Sequence, residues 1–399
     1  MYSEAGRQSG ISLEKGVPPV DRPLSFYDEG LIRMSDPLGF DDETILAIKF
    51  ELLGQGLAVG DRAWDWILET GKAPQRVRSG ASNGLDMVLP GGHWVNAPLH
   101  PPHDHTEGPL LEREGDGFVV TSVFRKIAIP VEIAPRPAYY RQFTRSGRRM
   151  DRIGQMSGDR IGFGLSNGCY FWKKERRCGF CSIGLNTDEE FALKPLDDIR
   201  DTLTAAIRDP LLPARHLLLS GGTLRDEDWG IARFATAARR LRNEFGLPIY
   251  VMTVPTGADE LRSLKQAGVT EVAINLEVHD RRLAQDIIPG KAAAFSREDY
   301  LACLESAREH WRRDQVRSLL VAGMEDMAST LAGVKAILDA GATPILSVFR
   351  PLTGAGLERH PRPTSAWLWE LYLRAMEIAA RHGVELGPAC RGCRNNTLS

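Results

Sequence analysis

Cysteine is scarce in this chain, with six in 399 residues, and those six are too few and too unevenly placed for a disulfide framework. No stretch approaches the ~18 consecutive apolar residues of a membrane span. No early apolar run ends at a small-residue cleavage site, so the sequence predicts a cytoplasmic protein with no membrane contact. An excess of one charge is also missing. Fifty Lys and Arg face fifty-two Asp and Glu, for a net charge of −2. That excludes a general polyanion-binding surface, and no nucleic-acid module is evident. Internal repeats and low-complexity tracts are absent, which excludes solenoids and linker-like chains. What remains is ordinary: 43% hydrophobic and 26% charged residues, enough for a real core. The length allows one large α/β barrel or two to three smaller domains.

The pattern changes near residue 155. Before it, "DDETILAIKFELLGQGLAV" and "DRAWDWILETG" have helical periodicity with acidic starts. "DGFVVTSVFRKIAIPVEIAP" reads as strands in a hairpin. Residues 1–25 read as an irregular arm, and 1–155 as an α+β extension. From "DRIGFGLS" onward, strands and helices alternate. "HLLLSGG", "PIYVMTV", "TEVAINLE", "QVRSLLVAG" and "TPILSVFR" are each followed by a helical stretch. That alternation predicts a parallel sheet of six βα units over 156–383, an open doubly wound sheet or a partial barrel. In both, ligands sit at the carboxyl ends of the strands. Residues 384–399 form a short tail, in which "VELGP" is a candidate further strand.

The cysteines fall into two groups. Cys169, Cys178 and Cys181, in the spacing C-x8-C-x2-C, follow the first strand of the alternating region. Three thiols there suit a [4Fe–4S] cluster with one iron left open, a zinc knuckle with a fourth ligand from elsewhere, or unligated thiols. Cys390 and Cys393 form a second C-x2-C in the tail. That pair is a candidate for a second metal or cluster, a redox dithiol or a dimer bridge, and it reaches the active face if "VELGP" is a strand. Cys303 lies in a helical stretch and reads as a small buried hydrophobe. Two further groups read as surface. "HPPHDH" (His100, His103, Asp104, His105) is a stiff proline-rich loop before it is a metal site, and Arg145, Arg148 and Arg149 of "RSGRR" are a solvated face.

The "CGFC" segment after a first βα strand resembles the radical S-adenosylmethionine (radical SAM) superfamily, whose usual motif is C-x3-C-x-Φ-C with Φ aromatic. Phe180 stands at Φ, and the first spacer is eight residues long rather than three. Other strand ends resemble the same superfamily. Ser220, Gly221, Gly222 and Thr223 stand where its Gly-Gly-Glu-like segment holds the SAM amino group, with Thr223 in place of the acid. Asn275 and Glu277 of "INLEVHD" share one side of a strand by alternation. The resemblance makes them contacts to the SAM ribose or carboxylate; a structural salt bridge is the other reading of Glu277. Gly323 and Glu325 of "LLVAGME" match the segment that packs on adenine, and Arg350 is a candidate for a substrate carboxylate or phosphate, or for a structural ion pair.

The resemblance implies a (βα)6 partial barrel, TIM-barrel-like, with [4Fe–4S] held by Cys169, Cys178 and Cys181 and SAM on the open iron. It implies reductive SAM cleavage, a 5′-deoxyadenosyl radical that abstracts hydrogen from a small-molecule substrate, and an electron donor such as flavodoxin or ferredoxin. Cleavage of another SAM carbon–sulfur bond, giving an aminocarboxypropyl radical, is the alternative within that chemistry. Outside it stands a zinc-stabilised α/β binding protein in which one tail cysteine completes a site with the three loop cysteines. Lys173, Lys174, Arg176 and Arg177, inside the first spacer, are expected to raise the cluster potential through their charge.

Overall fold

The computed structural model describes residues 39–71, 84–100, 108–122, 125–173, 176–186, 193–225 and 228–399. The arm at 1–25 and all of the histidine-rich loop after His100, including His103, Asp104 and His105, lie outside them.

The first layer starts with α1 (Asp42–Gln55), whose cap Asp41 accepts a hydrogen bond from the Thr44 amide at 2.7 Å. Strand β1 (Ala58–Val59) and helix α2 (Asp61–Glu69) follow. Strands β2 (Gly84–Leu89), β3 (His93–Pro98), β4 (Leu110–Glu114), β5 (Gly117–Ser122) and β6 (Ile127–Ile133) then build a six-stranded sheet in the order β1-β4-β5-β6-β2-β3. The expected hairpin is β5–β6, antiparallel from Phe118↔Val131 to Ser122↔Ile127. Alternation buries Phe118 and Val120 on one strand against Ile129 and Val131 on the other.

After the one-turn helix α3 (Met150–Ile153), strands β7 (Gln155–Ser157) and β8 (Arg160–Gly164) start the second sheet. The chain continues through α4 (Tyr170–Lys173), α5 (Leu196–Ile207), β9 (His216–Ser220), α6 (Ile231–Phe245), β10 (Ile249–Thr253), α7 (Ala258–Gln266) and β11 (Glu271–Ile274). Three short helices come next, α8 (Arg281–Ile287), α9 (Pro289–Ala294) and α10 (Arg297–Ala307), then β12 (Val316–Ala322), α11 (Met327–Asp339), β13 (Thr343–Val348) and α12 (Ser365–Arg381). The sheet order is β13-β12-β11-β10-β9-β8-β7, with β8 to β13 parallel in sequence order and β7 added antiparallel. These are the six expected βα strands, and the protein is an α/β half-barrel. Helix α5 was not expected. Its first turn is charged (Asp197, Asp198), and its apolar stripe (Ile199, Leu203, Ala206) is short.

The barrel does not close by its own strands, and β7 and β13 are its two edges. The expected strand at "VELGP" is absent; Gly387 has φ of +85° there, outside strand geometry. The chain after it spans the gap instead. Thr397 forms an antiparallel bridge with Ser347 of β13, the Val348 amide donates to the Asn396 carbonyl at 3.1 Å, and the Leu398 amide donates to the Leu346 carbonyl at 3.0 Å. On the other edge, Asn395 Nδ2 donates to Ser157 Oγ of β7 at 3.0 Å. The Asn96 amide of β3 donates to the Asn395 carbonyl at 2.8 Å, which joins the two sheets. One hydrophobic core runs through both layers, and α1 packs on α12 with Phe50 against Trp369 and Tyr372.

The tail can approach because two glycines meet. Gly158, in the β7–β8 turn, has φ of +60°, and a Cβ there would stand 2.5 Å from Gly392 Cα. Gly158→Ala combines left-handed strain with that clash and should cost about 1–3 kcal/mol or more. Thermal unfolding of the variant checks this, and an unchanged melting temperature would contradict the packing.

Candidate active site

A cavity of about 560 Å³ lies inside the half-barrel, and Cys169, Cys178 and Cys181 line it. Its room comes partly from β8, where Gly162 and Gly164 alternate onto the inner face and carry no side chain. Phe180, Ser220, Gly221, Gly222, Thr223, Asn275 and Glu277 line the same cavity. Gly323, Glu325 and Arg350 are not among its lining residues.

Cys169 is fixed by the end of β9. The Tyr170 amide donates to the Thr223 carbonyl at 2.8 Å, and the Gly222 amide donates to the Ser166 carbonyl at 2.9 Å. Gly221 has φ of +148°, and a Cβ on it would stand 2.9 Å from the Ser166 amide nitrogen. A Cβ on Gly222 would stand 2.2 Å from the Gly168 carbonyl oxygen. The two glycines therefore admit the Cys169 segment to the strand end.

Cys178 and Cys181 are held from the other side. Between them, the Gly179 amide donates to the Ile287 carbonyl at 2.7 Å and the Gly179 carbonyl accepts from the Leu357 amide at 2.7 Å. The long first spacer coils into α4 and buries Phe171, whose ring stacks on Trp229 at 6.1 Å. The Arg176 amide then returns to the Phe171 carbonyl at 3.0 Å. Eight residues are thus spent on one anchored helical turn. The spacer's cations are only partly described, and the side chain of Lys173 lies outside the described residues. Arg176 is exposed, and Arg177 lies over the Trp172 ring at 4.9 Å and donates to the Gly354 carbonyl. Lys174 lies outside the described residues.

Among the described residues, Lys291 of α9 is a cation that acts on the thiols. Burial pushes the Cys178 and Cys181 thiols up, and the charge of Lys291 opposes it at both. Lys291 Nζ bonds Glu277 Oε1 at 2.8 Å. Burial disfavours the ammonium, but the charges of Glu277 and then Cys178 outweigh it and hold Lys291 well above the usual lysine range. Sequence reasoning does not single out this lysine, because its neighbours in sequence do not mark it as buried.

Glu277 lies just past the end of β11 and has φ of +65°, rare for a residue with a long side chain. Its Oε2 is buried and has no hydrogen-bond partner among the described residues. Asn275 beside it accepts from the Leu319 amide at 3.1 Å through Oδ1.

The remaining candidates are occupied elsewhere. Glu325 accepts from the His279 and Asp280 amides at 2.9 and 2.6 Å and from Ser329 Oγ at 2.9 Å, so it ties the β11–α8 connection to α11. A Cβ on Gly323 would meet the Pro363 ring at 2.8 Å. Arg350 is buried, donates to Asn96 Oδ1 at 2.6 Å and to the Asn96 carbonyl, and locks β13 to β3. Burial pushes its guanidinium down to about 9, against the charge of Asp86. The basic turn is pinned as well as solvated: Arg148 bonds buried Asp198 at 2.6 Å, while Arg145 and Arg149 pair with Asp201 and Asp151. Cys303 is buried in α10, as expected.

Cys390 and Cys393 do not join the other three cysteines. They lie beside Asp159 and His216, at the amino ends of β8 and β9. At ~3.3 Å per residue, that is about 13 Å along β9 from Ser220. Without a strand at "VELGP", nothing carries the chain to the carboxyl ends before Cys390. Cys393 nevertheless lines the cavity, from its other end.

No protein-family model matches the sequence. A bacteriochlorophyllide c C-7(1)-hydroxylase from Chlorobaculum limnaeum is 29% identical over 129 residues, 32% of each chain. Among solved structures, the chain is similar to methylornithine synthase (18% identity, 55% of this chain and 62% of that one, TM-score 0.44). It is also similar to a radical SAM methyltransferase from Sphaerobacter thermophilus (14% identity, 73% and 78%, TM-score 0.42). Both TM-scores are below 0.5, and by themselves these likenesses carry no conclusion about the reaction. Among the described residues, no helix is long and apolar enough to cross a membrane.

The Glu277–Lys291 pair is 12–16% exposed, so removing one partner leaves the other charge largely desolvated. Lys291→Met should cost about 3 kcal/mol, and adding Glu277→Gln should recover most of it. Urea unfolding of the two variants checks the coupling.

Proposed function

We propose that this chain is a radical SAM enzyme acting on a small molecule in the half-barrel cavity. The observation that carries the reading is one cavity: three thiols, Phe180, the Ser220–Thr223 strand end and the Glu277–Lys291 pair all line it.

The residues fit the groups this reading requires. Cys169, Cys178 and Cys181 offer an all-sulfur donor set on a loop anchored at both ends. Among the described residues, His216, Cys390 and Cys393 are the group of three whose ligand atoms all lie within 4.8 Å of one another. The loop thiols are therefore spread wider than the shell of a single ion, as suits thiolates on separate irons. A [4Fe–4S] cluster held by Cys169, Cys178 and Cys181 would supply the electron for reductive cleavage of SAM to methionine and a 5′-deoxyadenosyl radical, with a donor of the flavodoxin or ferredoxin class as the source of reducing power.

The chain's own share is position, charge and dryness. Gly221 and Gly222 bring the Ser220–Thr223 backbone against the Cys169 loop. Glu277 offers a carboxylate acceptor for the ammonium or ribose hydroxyl of SAM, while Lys291 holds its Oε1 in place. Phe180 packs with Val278, Ile287 and Val321 and shields the loop from water. The zinc-scaffold alternative is disfavoured, because both tail cysteines lie beside Asp159 and His216, at the amino ends of β8 and β9.

Anaerobic reconstitution with iron and sulfide, then reduction in the presence of SAM, tests this. The expected products are methionine and 5′-deoxyadenosine; methylthioadenosine would instead mark cleavage of the other bond. Single Cys169→Ala, Cys178→Ala and Cys181→Ala variants should lose most cluster iron and all SAM cleavage. A reconstituted chain with no iron at these cysteines would overturn the reading. Glu277→Gln should weaken SAM binding about 10-fold, the worth of one charged hydrogen bond, while cluster iron remains.

A further inference from the structure

A second set of ligating side chains meets inside the protein, away from the cysteine loop. His216 opens β9, and Cys390 and Cys393 lie in the tail; they are 5%, 5% and 7% exposed. One ligand atom from each lies within 4.8 Å of the other two. His216 Nε2 and Cys393 Sγ are 3.3 Å apart. Tetrahedral zinc with Zn–S near 2.3 Å holds neighbouring sulfurs about 3.8 Å apart, so the three atoms match the shell of one ion. A cluster, which places each thiolate on its own iron, asks for wider spacing.

The surroundings match as well. Asp159 Oδ1 stands 3.6 Å from His216 Nδ1, behind the ring, and accepts from Cys390 Sγ at 3.3 Å. A carboxylate on the far nitrogen is the arrangement that fixes the tautomer of a ligating imidazole. The Cys393 amide donates to Cys390 Sγ at 3.2 Å, which stabilises a thiolate within the C-x2-C turn. The contact of Gly392 with Gly158 seats that turn on the β7–β8 turn, next to Asp159.

We propose that Cys390, Cys393 and His216 bind a single zinc ion, with Asp159 as a positioning residue and the fourth position facing the cavity. The donor set, two thiolates and one imidazole, suits zinc and leaves that position for water or a group within the cavity. The ion joins the tail to β8 and β9 directly before Asn395–Leu398 cross from β7 to β13, so it is a staple on the segment that completes the barrel wall. This site does not depend on radical chemistry.

The full-length Cys169→Ala/Cys178→Ala/Cys181→Ala variant, purified anaerobically, isolates the site. It should carry one zinc per chain and no acid-labile sulfide. Replacing zinc with cobalt should give a thiolate-to-cobalt absorption band. Adding Cys390→Ser/Cys393→Ser should abolish the band, and adding His216→Ala should lower zinc content at least 10-fold. Asp159→Asn should keep the ion but weaken it about 10- to 100-fold in chelator competition. Three results would overturn the proposal: iron and sulfide at the tail cysteines, a Cys390–Cys393 disulfide without metal, or full zinc content after His216→Ala. Should the buried variants fail to fold, the parent triple variant decides alone, since a folded, metal-free chain there refutes the site.

Discussion

A sheet that curls without closing leaves two rows of unpaired backbone groups, and everything else in this protein is arranged around those two edges. Unpaired edges invite association with other chains, and a lumen open along one side would flood. Here β7 and β13 are joined by a few residues near the end of the chain, held by backbone bonds to β13 and by Asn395 to Ser157. The six-stranded sheet reinforces the same seam through the bond from the Asn96 amide to Asn395 and the bonds from Arg350 to Asn96. The N-terminal layer is thus a buttress for an incomplete barrel.

The cysteine loop is built on a related economy. Its two halves are fixed by different neighbours, the first by the end of β9 and the second by backbone bonds to Ile287 and Leu357. The long spacer between them serves as a separate anchor through Phe171. This explains why the last two cysteines and Phe180 keep a tight spacing while the first cysteine stands apart in sequence.

The six parallel strands and the cavity-facing roles of Cys169, Phe180, Ser220, Asn275 and Glu277 were legible because they depend on local period and order. Alternation placed Asn275 and Glu277 on one side, and they do line one cavity, although the φ of Glu277 breaks the regular strand. What sequence could not supply were partnerships across the chain. Arg350 and Asn96 are 254 positions apart, and His216 and Cys393 are 177 apart. Nothing local distinguishes Lys291 from a surface lysine, and nothing in "GPACRGCRNNTLS" announces that the segment is buried. Glu325 lies outside the cavity lining for a related reason: it follows a strand end in sequence, but the amides of the adjacent connection bond its carboxylate.

The glycines of β8 have a wider implication. Inner positions of a small barrel are normally filled by side chains, and at Gly162 and Gly164 they are not. The nearest atoms to a Cβ on Gly162 would be 3.7 Å away, so nothing in the packing demands the vacancy. The hollow beneath the cysteine loop is therefore written into the chain as two omitted side chains. Size selectivity in such a chamber can drift by single methyl groups along β8, while the loop and the seam stay as they are.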